Sequence, residues 1–63
     1  MNVFTRGMEL FDKGYRFNLR ISQEAGCGDV YIHPDGTVIQ LSPKDTCDGV
    51  DEQKWDSLQE YQA

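Results

Sequence analysis

A chain of 63 residues carrying eleven acidic and six basic side chains, net charge −5, makes one domain near the lower size limit for a self-sufficient hydrophobic core. Its charge argues against direct nucleic-acid binding by phosphate neutralisation, which needs clustered Lys and Arg. A hydrophobic content of 38% with seven aromatics excludes a disordered chain.

No run approaches the roughly 18 apolar residues needed to span a bilayer, and no basic start leads into an apolar stretch, so the expectation is a soluble, cytoplasmic protein without a membrane partner. Charge is uneven along the chain. Residues 1–22 carry net +2, whereas residues 23–63 carry net −7.

Residues 2–13 place Phe4, Met8 and Phe11 at i, i+4 and i+7 with Val3 and Leu10 beside them, which is helical spacing. Asn2 is a suitable cap, and Gly14 follows Lys13 as a stop. Next, Tyr15, Phe17, Leu19 and Ile21 alternate with Arg16, Asn18, Arg20 and Ser22, the period of a half-buried strand. The loop from Gln23 to Gly28 then leads into the segment Asp29–Leu41.

That segment reads as a hairpin. Pro34 fixes φ for the second position of a type I turn, Asp35 suits the third, and Gly36 accepts a positive φ, which makes a three-residue loop with a glycine bulge. The implied register opposes His33 to Thr37, Ile32 to Val38, Tyr31 to Ile39, Val30 to Gln40 and Asp29 to Leu41. One face then carries Val30, Ile32, Val38 and Gln40, and the other Tyr31, Ile39, Leu41, His33 and Thr37. Both are partly apolar. A hairpin that covers a core on one side alone usually has a plainly polar outer side.

After Ser42-Pro43 the chain reads as irregular to Gly49, and Asp48 or Asp51 can cap a last helix with Trp55, Leu58 and Tyr61 in one stripe. Glu60 falls near the unfavourable end of such a helix. The fold class implied is α+β, a single domain over residues 1–63. It is an antiparallel three-stranded meander packed on one face by an N-terminal and a C-terminal helix, in the order α-β-β-β-α.

Chemical motifs are weak throughout. His33 sits beside Pro34 at a hairpin mouth and reads as a turn residue rather than a base, which would need a positioned partner. Cys27 and Cys47 form no Cys-x-x-Cys pair, and with a single histidine no zinc ligand set assembles without scattered carboxylates. Two reduced thiols are expected over a disulfide. Aligning Gly49 with the glycine of a calcium loop puts Lys44, Thr46 and Trp55 at ligand positions, so that pattern fails. Gly26-Cys27-Gly28 lacks the lysine and following helix of a phosphate cradle. No cofactor and no metal are implied.

The functional expectation is therefore a noncatalytic small acidic protein acting through protein–protein contacts, as a regulator or inhibitor of an unidentified protein partner. In general character it resembles the accessory proteins of phages and other mobile elements. The candidate contact surface combines Arg16 and Arg20 with Tyr31, Ile39 and Leu41, a mixture of arginine, tyrosine and aliphatics enriched at interfaces. A homodimer, through that face or an edge strand, is an alternative use of the same surface. A second reading makes the acids Asp45, Asp48, Asp51, Glu52, Asp56 and Glu60 a nucleic-acid mimic that blocks a DNA-binding protein. A third, a small enzyme or thiol-dependent protein, would need Cys27, Cys47 or His33.

Overall fold

The computed structural model describes residues 3–26, 28–43 and 49–62. Asn2, Cys27, Lys44, Asp45, Thr46, Cys47 and Asp48 lie outside the described residues, so the capping of Asn2, the two thiols and half of the calcium-like loop do too. Seven elements follow in order: α1 Val3–Asp12, β1 Arg16–Phe17, α2 Leu19–Ala25, β2 Asp29–Ile32, β3 Val38–Pro43, β4 Val50–Trp55 and α3 Leu58–Gln62. The strands form one antiparallel sheet in the order β1-β2-β3-β4.

The hairpin β2–β3 forms in the register that its turn dictates. Ile32 opposes Val38, Tyr31 opposes Ile39, Val30 opposes Gln40 and Asp29 opposes Leu41. The His33 N–H donates to Thr37 O at 2.8 Å, and Gly36, at φ 105°, donates to His33 O at 2.9 Å. The Asp35 carboxylate accepts from Thr37 N–H at 2.8 Å, an Asx turn that closes the loop. Hydrogen bonding from Thr37 holds the Asp35 carboxyl below the usual carboxylate range.

Two elements differ from the sequence expectation. The alternating segment 15–22 is not one strand, because Asn18 ends β1 and starts α2. Its side-chain oxygen accepts from Ile21 N–H at 2.9 Å, the bond of a helix N-cap. Its own N–H donates to Val30 O at 2.8 Å, completing the β1–β2 ladder. Ser22 replaces the missing strand. Its buried hydroxyl accepts from Val30 N–H at 2.8 Å and donates to Asn18 O at 2.6 Å.

The second difference is a fourth strand. Val50–Trp55 pairs along its full length with β3, from Pro43 opposite Val50 to Val38 opposite Trp55. Trp55 is thus a strand residue, and the last helix starts only after Ser57. Ser57 Oγ accepts from Glu60 N–H at 3.2 Å while Glu60 Oε2 accepts from Asp56 N–H at 3.1 Å, a reciprocal arrangement akin to a capping box. Glu60 therefore stands at the favourable end of α3, not the unfavourable one.

The layering also differs. α1, rather than lying with α3 over Val30 and Val38, covers the opposite face of the sheet. Leu10, Ile39 and Leu41 form the core there, with Val3, Tyr15, Tyr31 and Val50 packed around them. On the other face Val30 and Val38 are fully buried. α3 lies on that face, its Tyr61 hydroxyl donating to Gln40 Oε1 at 3.0 Å and its ring edge-on to Trp55 at 4.7 Å.

Candidate interaction surface

α1 turns one stripe to the sheet and leaves another in solvent. The inward stripe is Val3, Gly7 and Leu10, with Leu10 only 1% exposed. Gly7 suits this close packing, since a Cβ there would overlap the Tyr31 hydroxyl and force it to shift. The stripe Phe4, Met8 and Phe11, at the same helical spacing, is exposed by 76%, 58% and 56%.

Between this stripe and β1 runs a groove of about 470 Å³. Phe4, Met8 and Phe11 form one wall and Phe17, 46% exposed, the other. Tyr31 lies across its floor beside Gly7, its ring edge-on to Phe17 with centroids 5.7 Å apart. Asp29 also borders it. Burial first, and the nearby Asp29 carboxylate second, raise the Tyr31 phenol above its ordinary pKa, so the groove holds a neutral hydroxyl at physiological pH.

Arg16 belongs to the end of this wall. Its guanidinium lies 4.4 Å from the centre of the Phe11 ring and donates to Tyr15 O at 2.9 Å and, more weakly, to Phe11 O at 3.4 Å. It covers the carbonyl end of α1, where a cation is favoured.

The candidate contact residues are thus not gathered as a set. Tyr31 lies in the groove, and Arg16 stacks on Phe11 of its wall. Ile39 and Leu41 are buried under α1, 3% and 0% exposed, and are core residues rather than a surface. Arg20 stands on α2, where it faces Glu24 at 3.5 Å.

The acids are equally dispersed. Glu52 points to the α1 side of the sheet, where Arg6 clasps it through Nε to Oε1 at 2.6 Å and Nη2 to Oε2 at 3.1 Å. That bond holds the Glu52 carboxyl below the usual range. Asp51, one residue along the strand, points to the opposite face. Asp56 and Glu60 serve the start of α3. Among the described residues these four make no single acidic face, and Asp45 and Asp48 lie outside them.

His33 joins the hairpin to the end of α1. Its Nε2 is 3.2 Å from Lys13 O, its Nδ1 accepts from Asp35 N–H at 3.1 Å, and its ring packs edge-on against Tyr15 at 4.9 Å. These contacts give it a structural role. Among the described residues no three His, Cys, Asp or Glu side chains converge as metal ligands, and no helix is long and apolar enough to cross a membrane.

The groove was hidden in the sequence because two stripes compete for the inward side of α1. Val3-Gly7-Leu10 looks the poorer, containing a glycine. Yet a glycine in an apolar stripe is itself the sign of a close approach, which here is that of Tyr31. Compared with known protein families, with curated proteins and with solved structures, the chain finds no match in any of the three.

Proposed function

We propose that this protein is a noncatalytic regulator or inhibitor that binds another protein through the groove beside α1. The observation that supports this reading is the exposure of Phe4, Met8, Phe11 and Phe17 around one concave surface. At about 200 Å² for a large apolar side chain, their exposed parts amount to roughly 450 Å², as large as the biggest apolar patch on many monomers. A 63-residue chain with few core side chains gains nothing in stability by leaving three phenylalanines in water.

The occupant that fits is a short amphipathic segment of a basic partner. Its apolar side chains fill the space between the Phe4–Met8–Phe11 wall and Phe17, with Met8 adapting to their shape. A Lys or Arg on the same segment meets Asp29, and the net charge of −5 favours its approach. Hydrophobic area supplies affinity, and the carboxylate supplies orientation.

Selection from a random peptide library on the immobilised protein tests this. Enriched peptides are expected to pair two or more large apolar residues with Lys or Arg, and to lose binding to a Met8→Asp variant. Enrichment of acidic or purely polar peptides, or of peptides that bind Met8→Asp equally well, would contradict the proposal.

A further inference from the structure

The sheet ends, on the side opposite β1 and the groove, in the strand β4. β4 is a six-residue strand that, among the described residues, pairs with β3 alone. Its central residues Asp51, Glu52, Gln53 and Lys54 are all exposed. Outer strands are commonly protected by shortness, a proline or a bulge. β4 has none of these: its register with β3 is unbroken over all six pairs. Among the described residues, charge is what guards it.

The hydrogen-bond phase of the sheet shows which groups face outward. His33 N–H donates to Thr37 O, so positions 37, 39 and 41 turn their peptide groups toward β2 and positions 38, 40 and 42 toward β4. Their opposites, Trp55, Gln53 and Asp51, return those bonds. Val50, Glu52 and Lys54 are left with N–H and C=O directed away from the sheet.

We infer that a second copy of this chain adds its β4 to this edge, antiparallel, with Gln53 on the two-fold axis. A two-fold perpendicular to the sheet keeps the faces of the two copies aligned, so opposed residues must share a face and their numbers must sum to an even value. Among these registers, centring on Asp51, Glu52 or Lys54 sets that charge against itself. Centring on Gln53 sets Glu52 opposite the partner's Lys54 and Lys54 opposite the partner's Glu52. Those are also the outward-turned residues, so each such pair exchanges two backbone bonds. Glu52, already held by Arg6 at 2.6 Å, lies on the α1 side and is fixed for the contact.

The result is a continuous sheet across two copies, with both α1 grooves on the same side and both open. The charge that guards the edge against other strands is thereby the device that selects its own.

Sedimentation equilibrium of the full chain up to millimolar concentration provides the test. The mass should rise from 7.2 kDa toward twice that value. Lys54→Glu, which opposes carboxylates on both sides of the axis, should weaken association about tenfold or more, and Glu52→Lys combined with Lys54→Glu should restore it. Because that exchange also removes the Arg6 clasp, a second variant tests the register alone. In a Cys27→Ser, Cys47→Ser background, Gln53→Cys should oxidise to a covalent dimer while Asp51→Cys and Lys54→Cys do not, since only position 53 meets itself. A mass that stays at 7.2 kDa throughout would overturn the inference, as would a dimer indifferent to Lys54→Glu or crosslinking equal at all three positions.

Discussion

The two apolar stripes of α1 share one helical spacing and meet opposite fates. Val3, Gly7 and Leu10 close over Ile39 and Leu41, whereas Phe4, Met8 and Phe11, the bulkier set, stay in solvent. The inward side is chosen by fit rather than by hydrophobicity. Tyr31 rises from the sheet to the helix, and a glycine leaves room for its hydroxyl where a Cβ would force it to shift. With Gly7 against Tyr31 the Phe4 stripe is rotated off the sheet, and the groove exists because of that rotation. A small domain can therefore create a binding surface from the same helix that closes its core.

The contrast is broken most strongly on the buried side. Leu10→Ala should cost about 3 kcal/mol in urea unfolding, through lost burial and the cavity left above Ile39 and Leu41. A loss below about 0.5 kcal/mol would place Leu10 outside the core.

Gly7→Ala tests the reason for the orientation. Alanine favours the helix by about 1 kcal/mol, yet here it should destabilise the protein by about that amount, because the Tyr31 hydroxyl must move. Adding Tyr31→Phe should recover most of the loss. Recovery in the double variant, measured as a non-additive thermodynamic cycle, is the signature of this contact.

A smaller effect is expected at the clasp that ties α1 to the far strand. Glu52→Gln should cost about 1 kcal/mol at neutral pH, since Arg6 and Glu52 are bidentate and only partly exposed. Glu52 has a folded pKa below its ordinary 4.5, so its contribution is present above that pH and disappears as pH falls through the folded value. The stability difference between wild type and Glu52→Gln should accordingly close under acid. A difference constant with pH would mean the carboxylate is not what Arg6 holds.

The smallest effect belongs to the exposed stripe. Phe4→Ser should change stability by less than about 0.5 kcal/mol, because Phe4 is 76% exposed. A large loss there would place Phe4 in the core and erase the distinction between the stripes.

Local chemistry made the hairpin legible, while competition between local and distant partners obscured the rest. Pro34, Asp35 and Gly36 fix their turn within three residues, and the register follows without help from elsewhere. Phe17, Leu19 and Ile21 alternate well, but a single N-cap at Asn18 outweighs that alternation. Trp55, Leu58 and Tyr61 share a helical stripe, yet pairing with Val38 draws Trp55 into a strand. The sequence Ser57-Leu58-Gln59-Glu60 held the true start of the helix. Of the candidate site, Tyr31 lies in the groove and Arg16 stacks on Phe11 of its wall, while Ile39 and Leu41 could be assigned to the core only once the position of α1 was known.

Hydroxyl-radical footprinting of the free protein, read by mass spectrometry residue by residue, tests the central claim most directly. The account predicts heavy modification of Phe4, Met8 and Phe11 with protection of Leu10 and Leu41, in line with 76%, 58% and 56% exposure against 1% and 0%. Protection of Phe4 and Met8 together with modification of Leu10 would mean that α1 presents its other stripe to the sheet, and the groove would not exist.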